Sequence, residues 1–422
     1  MVVKYRLDNG MVVLLEPIEA VVSVSVGLWV KAGSRNEEEA ERGYAHFIEH
    51  MLFKGTSHYS AKDIARIVDR VGGQHNAATN REYTCYYINV ISDYMELSIS
   101  LLADMYYHSL FEETEIEKEK NVILEEIRMY EDAPDELIHD VFMECMLHNH
   151  PLGHPILGTA ESINTTNKEK MIDFFNKYYS SENCIFVIAG NFKIEKAKAF
   201  IDQYLSRHNG KSDRIFPENR TLPERILRKH ISRDLEQVHF CMGVDGMKRD
   251  DQDRWALFTL STILGGSMSS RLFQNIREKE GLCYSIYSFH SSYMDRGVFG
   301  IYCGTSPESY RKALDLILRE CEELVIKGIG EEELNDAKTF MKGNLALSLE
   351  STEVRMSQLA KNEMIYRRSF SFDETVEKIN AITLGDFSRI CRHIFLDRDL
   401  TLVSIGKLPA VDEKISSIRL PL

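Results

Sequence analysis

Residues 184–190 read Cys-Ile-Phe-Val-Ile-Ala-Gly, and residues 400–406 read Leu-Thr-Leu-Val-Ser-Ile-Gly. Each is a short apolar run that ends at glycine, a pattern typical of a buried β-strand. Each also comes late in a similar series of predicted elements: an early strand, a helix, a Gly-Gly break, further strands and long helices. The repeated series predicts two α+β domains of one fold, although two unrelated α+β domains would give a similar pattern.

The length of the chain agrees with two domains. It has 422 residues, which is more than one hydrophobic core usually serves. Residues 209–224 are polar, contain two prolines and lie at the midpoint of the chain, so we predict a linker there. The predicted domains therefore cover residues 1–208 and 225–422.

The composition indicates a globular protein and excludes some classes of partner. Hydrophobic residues make up 44% of the chain and charged residues 27%, as in ordinary globular domains. There are 51 Lys and Arg against 65 Asp and Glu, a net charge of -14. This excess of acid argues against a nucleic-acid backbone or an anionic membrane surface as the main partner.

The longest apolar run near the amino terminus covers residues 20–30, and a membrane-spanning helix needs about 20 apolar residues. Its valines and leucine recur at every second position, which predicts a core strand: Val22, Val24, Val26, Leu28 and Val30. We therefore expect no membrane span and a cytoplasmic location. The eight cysteines form no Cys-x-x-Cys pair, so we also expect free, buried thiols.

The most specific local motif is His46-Phe-Ile-Glu49-His50, within a predicted helix over residues 44–53. On a helix, two histidines four residues apart share a face and can bind one metal ion. This is the H-x-x-E-H arrangement of the inverted zincins, in which the carboxylate deprotonates the attacking water. The alternative is a pair of histidines on an ordinary amphipathic helix.

A catalytic zinc site needs a third protein ligand from another element. Glu119 and Glu126 lie seven residues apart on a second predicted helix, and Val122 and Ile123 would anchor that helix between them. Seven-residue spacing is also common on solvated helix faces, and other acidic residues lie nearby. Spacing alone therefore does not choose the ligand.

Three segments together resemble the pitrilysin family of zinc metallopeptidases. They are the H-x-x-E-H helix, residues 119–126 (Glu-Lys-Asn-Val-Ile-Leu-Glu-Glu) and residues 72–79 (Gly-Gly-Gln-His-Asn-Ala-Ala-Thr). The similarity extends over essentially the whole chain and is greatest to short bacterial peptidases that resemble the mitochondrial processing peptidase β subunit. The resemblance implies two similar domains, each a mostly antiparallel β-sheet covered by helices and related by internal duplication. It also implies one Zn²⁺ per chain.

The resemblance also implies roles for individual residues. His46, His50 and Glu126 would bind zinc, with Glu119 orienting the histidines and Glu49 acting as the general base. The segment Asn76-Ala77 would be an exposed strand edge that pairs with the substrate backbone. On composition alone, and not from the resemblance, His75 is a candidate fourth neighbour of the metal site, but three ligands already leave the open position that catalysis requires.

The second half has no H-x-x-E-H motif and is expected to bind no catalytic zinc. Arg277 and Tyr284 match the family's arginine and tyrosine that contact the substrate and polarise its scissile carbonyl. A guanidinium and a phenol are suitable donors for that role. Without the resemblance, Arg277 would be interpreted as a solvated helix charge and Tyr284 as a core aromatic residue.

The resemblance finally implies an assembly. Larger relatives join four such domains around a closed chamber, whereas this chain has two. We therefore expect a homodimer in which the Arg/Tyr pair of one subunit serves the zinc site of the other, and an endopeptidase that accepts peptides and unfolded segments. The alternatives are a non-catalytic scaffold or peptide-binding subunit, and a heterodimer whose partner supplies the Arg/Tyr pair.

Overall fold

The computed structural model describes residues 2–207, 224–396, 398–408 and 418–419. Its α-helices are α1 (Tyr44–Met51), α2 (Ala61–Asp69), α3 (Met95–His108), α4 (Glu113–Glu131), α5 (Pro134–Met146), α6 (Ala160–Thr165), α7 (Lys168–Tyr178), α8 (Ile194–Leu205), α9 (Arg254–Gly265), α10 (Tyr310–Ile326), α11 (Glu331–Ser348), α12 (Thr352–Tyr366), α13 (Phe372–Asn380) and α14 (Leu384–Phe395). Its strands are β1 (Val3–Arg6), β2 (Val12–Pro17), β3 (Ser23–Val30), β4 (Gln74–Thr79), β5 (Thr84–Ile91), β6 (Cys184–Gly190), β7 (Arg228–Ser232), β8 (Val238–Asp245), β9 (Cys283–Ser292), β10 (Gly297–Thr305), β11 (Asp399–Gly406) and β12 (Ile418–Arg419). A π-helical segment covers Phe273–Glu278.

The first sheet has the strand order β1-β2-β6-β3-β5-β4. Strands β2 and β6 are parallel, and the other neighbours are antiparallel. The sheet belongs to a compact unit formed by residues 2–129, 154–207 and 348–369. Alternate residues of β2 enter different cores: Val13 and Leu15 pack with residues of α1, α3, α7 and α8, whereas Val12 and Leu14 pack with residues of α12.

The second sheet has the strand order β12-β11-β8-β10-β9, and β7 pairs in parallel with β11. It belongs to a compact unit formed by the described residues within 130–153, 224–347 and 370–419. One face of the sheet packs with residues of α9, α10 and α14. The other face packs with residues of α5.

The two sheets share one pairing pattern. In each, a parallel pair leads into three antiparallel pairs, β2-β6-β3-β5-β4 in the first sheet and β7-β11-β8-β10-β9 in the second. Corresponding strands also follow one another in the same order along the chain. The prediction of two similar α+β domains with mostly antiparallel sheets is confirmed.

The glycines that end the two apolar segments occupy corresponding positions. Gly190 at the end of β6 has φ of +138°, and Gly406 at the end of β11 has φ of +135°. A Cβ atom on Gly190 would lie 2.4 Å from the backbone oxygen of Ser23, and one on Gly406 would lie 2.7 Å from that of Gln237. Both positions therefore need glycine for backbone conformation and for close approach of another strand.

Each unit contains a helix from the opposite half of the sequence. α12 packs against β6 and β3 in the first unit, and α5 packs against β11 and β8 in the second. The units therefore do not coincide with two continuous halves of the chain. The predicted linker, residues 209–224, lies outside the described residues except for Glu224.

The exchanged helices cover sheet faces that would otherwise expose apolar side chains. Met356, Leu359 and Ala360 of α12 are buried in one cluster with Trp29 and Ile185. In the second unit, the corresponding layer comes from the apolar face of α5. A sheet with two apolar faces must be covered on both faces. In each unit, a helix from the other half of the sequence covers the second face.

Two predictions of buried side chains are wrong. Val22 precedes β3 and is 77% exposed, so the core strand begins with Val24. Val122 on α4 is 48% exposed, whereas Ile123 is fully buried. Consecutive helix residues point about 100° apart, so only one of the pair faces the core.

Two broader expectations can be compared with the described residues. All eight cysteines are free, as predicted, and seven of them are buried; Cys283 is half-buried and so departs from the prediction. Within the described ranges, we find no helix that is both long and apolar enough to cross a membrane.

Candidate metal centre

Helix α1 is held in place by a buried carboxylate at its amino terminus. Gly43 precedes the helix with φ of +89°, and the Glu37 side chain accepts hydrogen bonds of 2.8 Å from the N–H groups of Gly43 and Ala45. These N–H groups have no partner within the helix, so the carboxylate caps it. Phe47 and Ile48 are fully buried and fix the rotation of the helix about its axis.

This rotation brings His46 and His50 together on one face. Their ring centroids lie 4.5 Å apart, as expected for residues one helical turn apart. His46 is buried and His50 is partly buried. The predicted shared face is therefore present in the structure.

Glu126 on α4 completes the group. His46 Nε2 lies 3.7 Å from one Glu126 carboxylate oxygen, and His50 Nε2 lies 3.7 Å from the other. These distances are too long for hydrogen bonds. Two ligand atoms that each lie about 2.1 Å from a tetrahedral ion are about 3.4 Å apart, so the spacing suits a bound metal.

The donor set fits zinc. Two imidazole nitrogens and one carboxylate oxygen lie within 4.8 Å of one another at His46, His50 and Glu126. This combination is the ligand set of catalytic zinc sites that keep one open position. These three residues could therefore hold a zinc ion.

Glu119 contacts His50 from the side opposite the metal-facing nitrogen. His50 Nδ1 lies 2.8 Å from Glu119 Oε1, and Lys54 Nζ lies 2.5 Å from Glu119 Oε2. A carboxylate in this position fixes the histidine tautomer, so that Nε2 carries the free lone pair. In the described residues, His46 Nδ1 has no hydrogen-bond partner, so only one of the two histidines is oriented in this way.

The two histidines have opposite pKa shifts. Burial, together with His50, lowers the pKa of His46 to about 3, which keeps the imidazole neutral, as metal binding requires. Burial also lowers the pKa of His50, but the Glu119 hydrogen bond and the surrounding carboxylates together raise it above its ordinary value. Burial raises the pKa of Glu119, and the hydrogen bonds from His50 and Lys54 more than offset this rise.

Glu49 lies beside the group and contacts β4. Burial raises its pKa, and a hydrogen bond from Thr79 partly offsets the rise. The Thr79 hydroxyl donates to Glu49 Oε2 at 2.5 Å. Neither Thr79 nor Lys54 was a predicted site residue, because no local sequence pattern links either one to α1 or α4.

The segment Asn76-Ala77 lies on β4, which is the edge strand of the first sheet. Among the strands that the structure describes, β4 pairs with β5 alone. The N–H of Ala77 donates to the side chain of Asn76 at 2.9 Å. His75 packs against the Phe53 ring, with centroids 5.5 Å apart, and it does not belong to the group of potential ligands around His46.

Arg277 and Tyr284 are brought together in the second unit. The Arg277 guanidinium lies 4.4 Å from the ring centroid of Phe273 and 5.1 Å from that of Tyr284. Tyr284 is 77% exposed, so it is not the core aromatic residue that its sequence context alone suggests. The pair forms a stacked cation and phenol at the surface of its own unit.

Comparison with known proteins identifies the family. One family model, "Insulinase (Peptidase family M16)", matches residues 12–160, and a second, "Peptidase M16 inactive domain", matches residues 165–341. The chain belongs to peptidase family M16. The predicted resemblance to the pitrilysin and insulinase group is thereby confirmed. Because the first model covers α1 and α4, the potential metal ligands lie in the matched insulinase domain.

Relatives within family M16 match over nearly their whole length. A zinc protease of Bacillus subtilis, YmxG, is 41% identical over 97% of this chain and 100% of its own length. A zinc protease of Streptomyces coelicolor is 35% identical over 95% of this chain and 89% of its own length. The similarity therefore includes both units.

Two solved structures share the fold of this M16 chain. A protease from Helicobacter pylori superimposes with a TM-score of 0.90 at 23% identity, over 96% of this chain and 99% of that one. A peptidase M16 inactive domain from Pseudomonas fluorescens superimposes with a TM-score of 0.89 at 22% identity, over 97% and 98% of the two chains. At these identities the likeness supports the fold alone.

Proposed function

We propose that the chain is a zinc-dependent endopeptidase that hydrolyses peptides or unfolded segments, with Glu49 as its general base. One observation carries the proposal: His46, His50 and Glu126 converge with the spacing of metal ligands, and Glu49 lies next to them on α1. The relatives in Bacillus subtilis and Streptomyces coelicolor, which match nearly the whole chain, are named zinc proteases.

His46, His50 and Glu126 would hold one zinc ion. Bound zinc supplies Lewis acidity, which makes water a strong nucleophile near neutral pH and polarises the scissile carbonyl. Glu119 fixes the ring of His50 through Nδ1, and Lys54 holds Glu119 in turn. These two contacts keep the His50 ring oriented while substrates bind and leave.

Glu49 would move the proton. In its ionised form it accepts a proton from the attacking water, and it then donates that proton to the leaving amine. Burial raises its pKa above the ordinary value, and this brings the carboxyl closer to the pH at which proton transfer in both directions is efficient. The Thr79 hydroxyl donates to Oε2 and so fixes the orientation of the carboxylate.

The edge of β4 would hold the substrate backbone. An extended peptide can pair with a free strand edge without any particular side chain. The Ala77 N–H is bonded to the exposed Asn76 side chain, which a substrate carbonyl could replace. Thr79 lies two residues further along the same strand and contacts Glu49, so pairing at β4 would deliver the peptide to the base.

Arg277 and Tyr284 would complete the site from a second copy of the chain. Their donors suit the negative charge that develops on the scissile carbonyl. The assembly would then be a homodimer that encloses its substrate and so restricts it to peptides and unfolded segments. The alternative of a non-catalytic scaffold subunit would leave four polar groups on two helices without a function, and buried polar groups are costly to keep.

The decisive experiment compares three glutamate variants on a quenched fluorescent peptide library, with zinc measured by mass spectrometry. Glu49→Gln is expected to keep stoichiometric zinc and lose cleavage by at least about 100-fold. Glu126→Gln is expected to lose the zinc ion held by His46, His50 and Glu126, and to lose cleavage with it. Glu125→Gln is the matched control, because Glu125 pairs with Arg128 on the exposed side of α4. Undiminished cleavage by Glu49→Gln would overturn the proposal.

A further inference from the structure

We propose that the first unit contains a second site for a zinc-like divalent transition metal, formed by His58, Asp104 and His108. Among the described residues, these three side chains are the other group whose potential ligand atoms all lie within 4.8 Å of one another. They are separate from the H-x-x-E-H helix and are not used in the proposed hydrolysis. Two imidazoles and one carboxylate are the same donor set as His46, His50 and Glu126.

Two elements bring this second group together. Asp104 and His108 lie four residues apart near the end of α3 and so share a helix face. His58 comes from the segment between α1 and α2, where Thr56 and Tyr59 form a tight turn with a backbone hydrogen bond of 2.8 Å. The segment is thereby held against the last turn of α3.

Asp104 is held in place by two neighbouring side chains, and an ion would replace its direct hydrogen bond with His58. Thr56 Oγ1 donates to Asp104 Oδ2 at 2.5 Å, and His58 Nδ1 lies 2.6 Å from Asp104 Oδ1. The Asp104 side chain is 11% exposed, whereas that of His58 is 56% exposed. The carboxylate is therefore fixed from the protein side while the histidine faces solvent, which gives an ion a route of entry.

The rings of His58 and His108 pack edge to face. Their ring centroids lie 4.8 Å apart with planes at 88°, close to the 4.5 Å separation of His46 and His50. Burial lowers the pKa of His108; the Asp104 carboxylate opposes this shift, and the positive charges of His58 and Arg207 add to it. A lowered pKa keeps the imidazole neutral at physiological pH, which is the form that binds metals.

Arg207 competes for this site. Its guanidinium donates to His108 Nε2 at 2.9 Å, so this nitrogen carries a lone pair rather than a proton. The backbone carbonyl of Arg207 is held separately by Asn9 and Tyr107, at 2.8 and 3.0 Å. The side chain can therefore move away without the backbone moving, and a metal ion could take its place on His108.

An ion in this group would join the α1–α2 segment to α3. Three protein ligands would leave at least one position open to water or to an anionic group. His58 also lines a surface cleft of about 800 Å³ together with Tyr59, Arg66 and Tyr204. Lys54, which forms an ion pair with Glu119, lies in the same segment four residues before His58. A bound ion would restrict the motion of this segment and so help to keep Lys54 and Glu119 in place beside His50.

The test is zinc titration of untagged, metal-stripped protein against a chromophoric chelator. The wild-type chain is expected to bind two ions. Asp104→Asn, His58→Asn and His108→Asn should each bind one, with cleavage of a peptide substrate still supported by that ion. Glu126→Gln should also bind one ion, at the second site. Each variant therefore removes one zinc site only, and the two proposed sites are tested separately.

Two further variants make the result specific. His393→Asn removes a histidine in the other unit that belongs to no such group, and it should still bind two ions. Arg207→Gln removes the competing guanidinium, and it should tighten the weaker binding event by about fivefold. Circular dichroism of each metal-free variant checks that it is folded. Binding of no ion by folded Glu126→Gln in excess zinc, or of two ions by folded Asp104→Asn, would overturn the proposal.

Discussion

At the scale of single residues, Thr79 favours the ionised form of Glu49. Its hydroxyl donates to Glu49 Oε2 and so stabilises the ionised carboxylate against the effect of burial. Thr79→Val removes this donor and keeps the shape of the side chain. The pKa of Glu49 then rises further above its ordinary value.

We therefore predict that Thr79→Val moves the acidic limb of kcat/KM to higher pH. A general base is active when ionised, so activity is present above its pKa and is lost as the pH falls through it. Raising that pKa removes activity first at the acidic end of the profile and least at the alkaline end. Thr79→Ser keeps the donor and should leave the limb in place. An unshifted limb in a folded Thr79→Val variant would contradict this account of Glu49.

A second prediction at this scale concerns Glu119. Glu119→Gln weakens the hold on His50 Nδ1 and removes the partner of Lys54. Loss of such an outer partner typically weakens metal binding by about 10–100-fold. Zinc competition with a chelator should show this change. Glu117→Gln, on the exposed side of the same helix, should bind zinc like the wild type, and equal affinities for both variants would refute the role of Glu119.

The sequence predicted part of this site for a clear reason. His46, Glu49 and His50 lie within one helical turn, so their relation is local and visible in five residues. The choice of Glu126 over Glu119 rested on family resemblance, because both lie on one helix at the spacing of two turns. Thr79 could not be predicted, since its contact with Glu49 depends on how β4 packs against α1.

At the scale of elements, α12 is the least expected helix. It follows α11 in the second half of the chain, yet it covers the first sheet through Met356, Leu359 and Ala360. Its sequence has an apolar face, but nothing local says which sheet that face contacts. By contrast, the strands β6 and β11 and their terminal glycines were predictable, because burial and positive φ leave local signals.

We predict that Met356→Ala destabilises the first unit by about 2–4 kcal/mol, since it leaves a cavity in a closely packed layer. Met356 is fully buried in the same cluster as Trp29. In a Trp255→Phe background, Trp29 fluorescence reports urea unfolding of this unit alone, because the chain has two tryptophans. Val354→Ala, at an exposed position of α12, is the matched control and should change stability by less than about 0.5 kcal/mol. Equal midpoints for both variants would show that α12 does not cover the sheet.

At the scale of the whole molecule, the proposed homodimer makes a prediction about mixtures of inactive variants. A dimer of Glu49→Gln with Arg277→Ala contains one site with an intact base and an intact arginine if the pair acts between subunits. Random pairing of equal amounts should then restore about a quarter of the wild-type activity. If Arg277 acts within its own chain, the mixture should stay inactive.

The control mixture combines Arg277→Ala with Tyr284→Phe. These residues stack on one another in the same unit, so every mixed dimer lacks one member of the pair at each site. This mixture should remain inactive under either arrangement. Recovery of peptidase activity in this mixture would show that Arg277 and Tyr284 do not act as one group.

The central claim is that His46, His50 and Glu126 hold one zinc ion beside Glu49. The most direct measurement is anomalous diffraction from crystals of Glu49→Gln at energies above and below the zinc absorption edge. We predict a peak at bonding distance, about 2.0–2.2 Å, from Nε2 of both histidines and from a Glu126 oxygen. A zinc-loaded crystal with no peak between these three side chains, or with Glu126 turned away from the ion, would contradict the account.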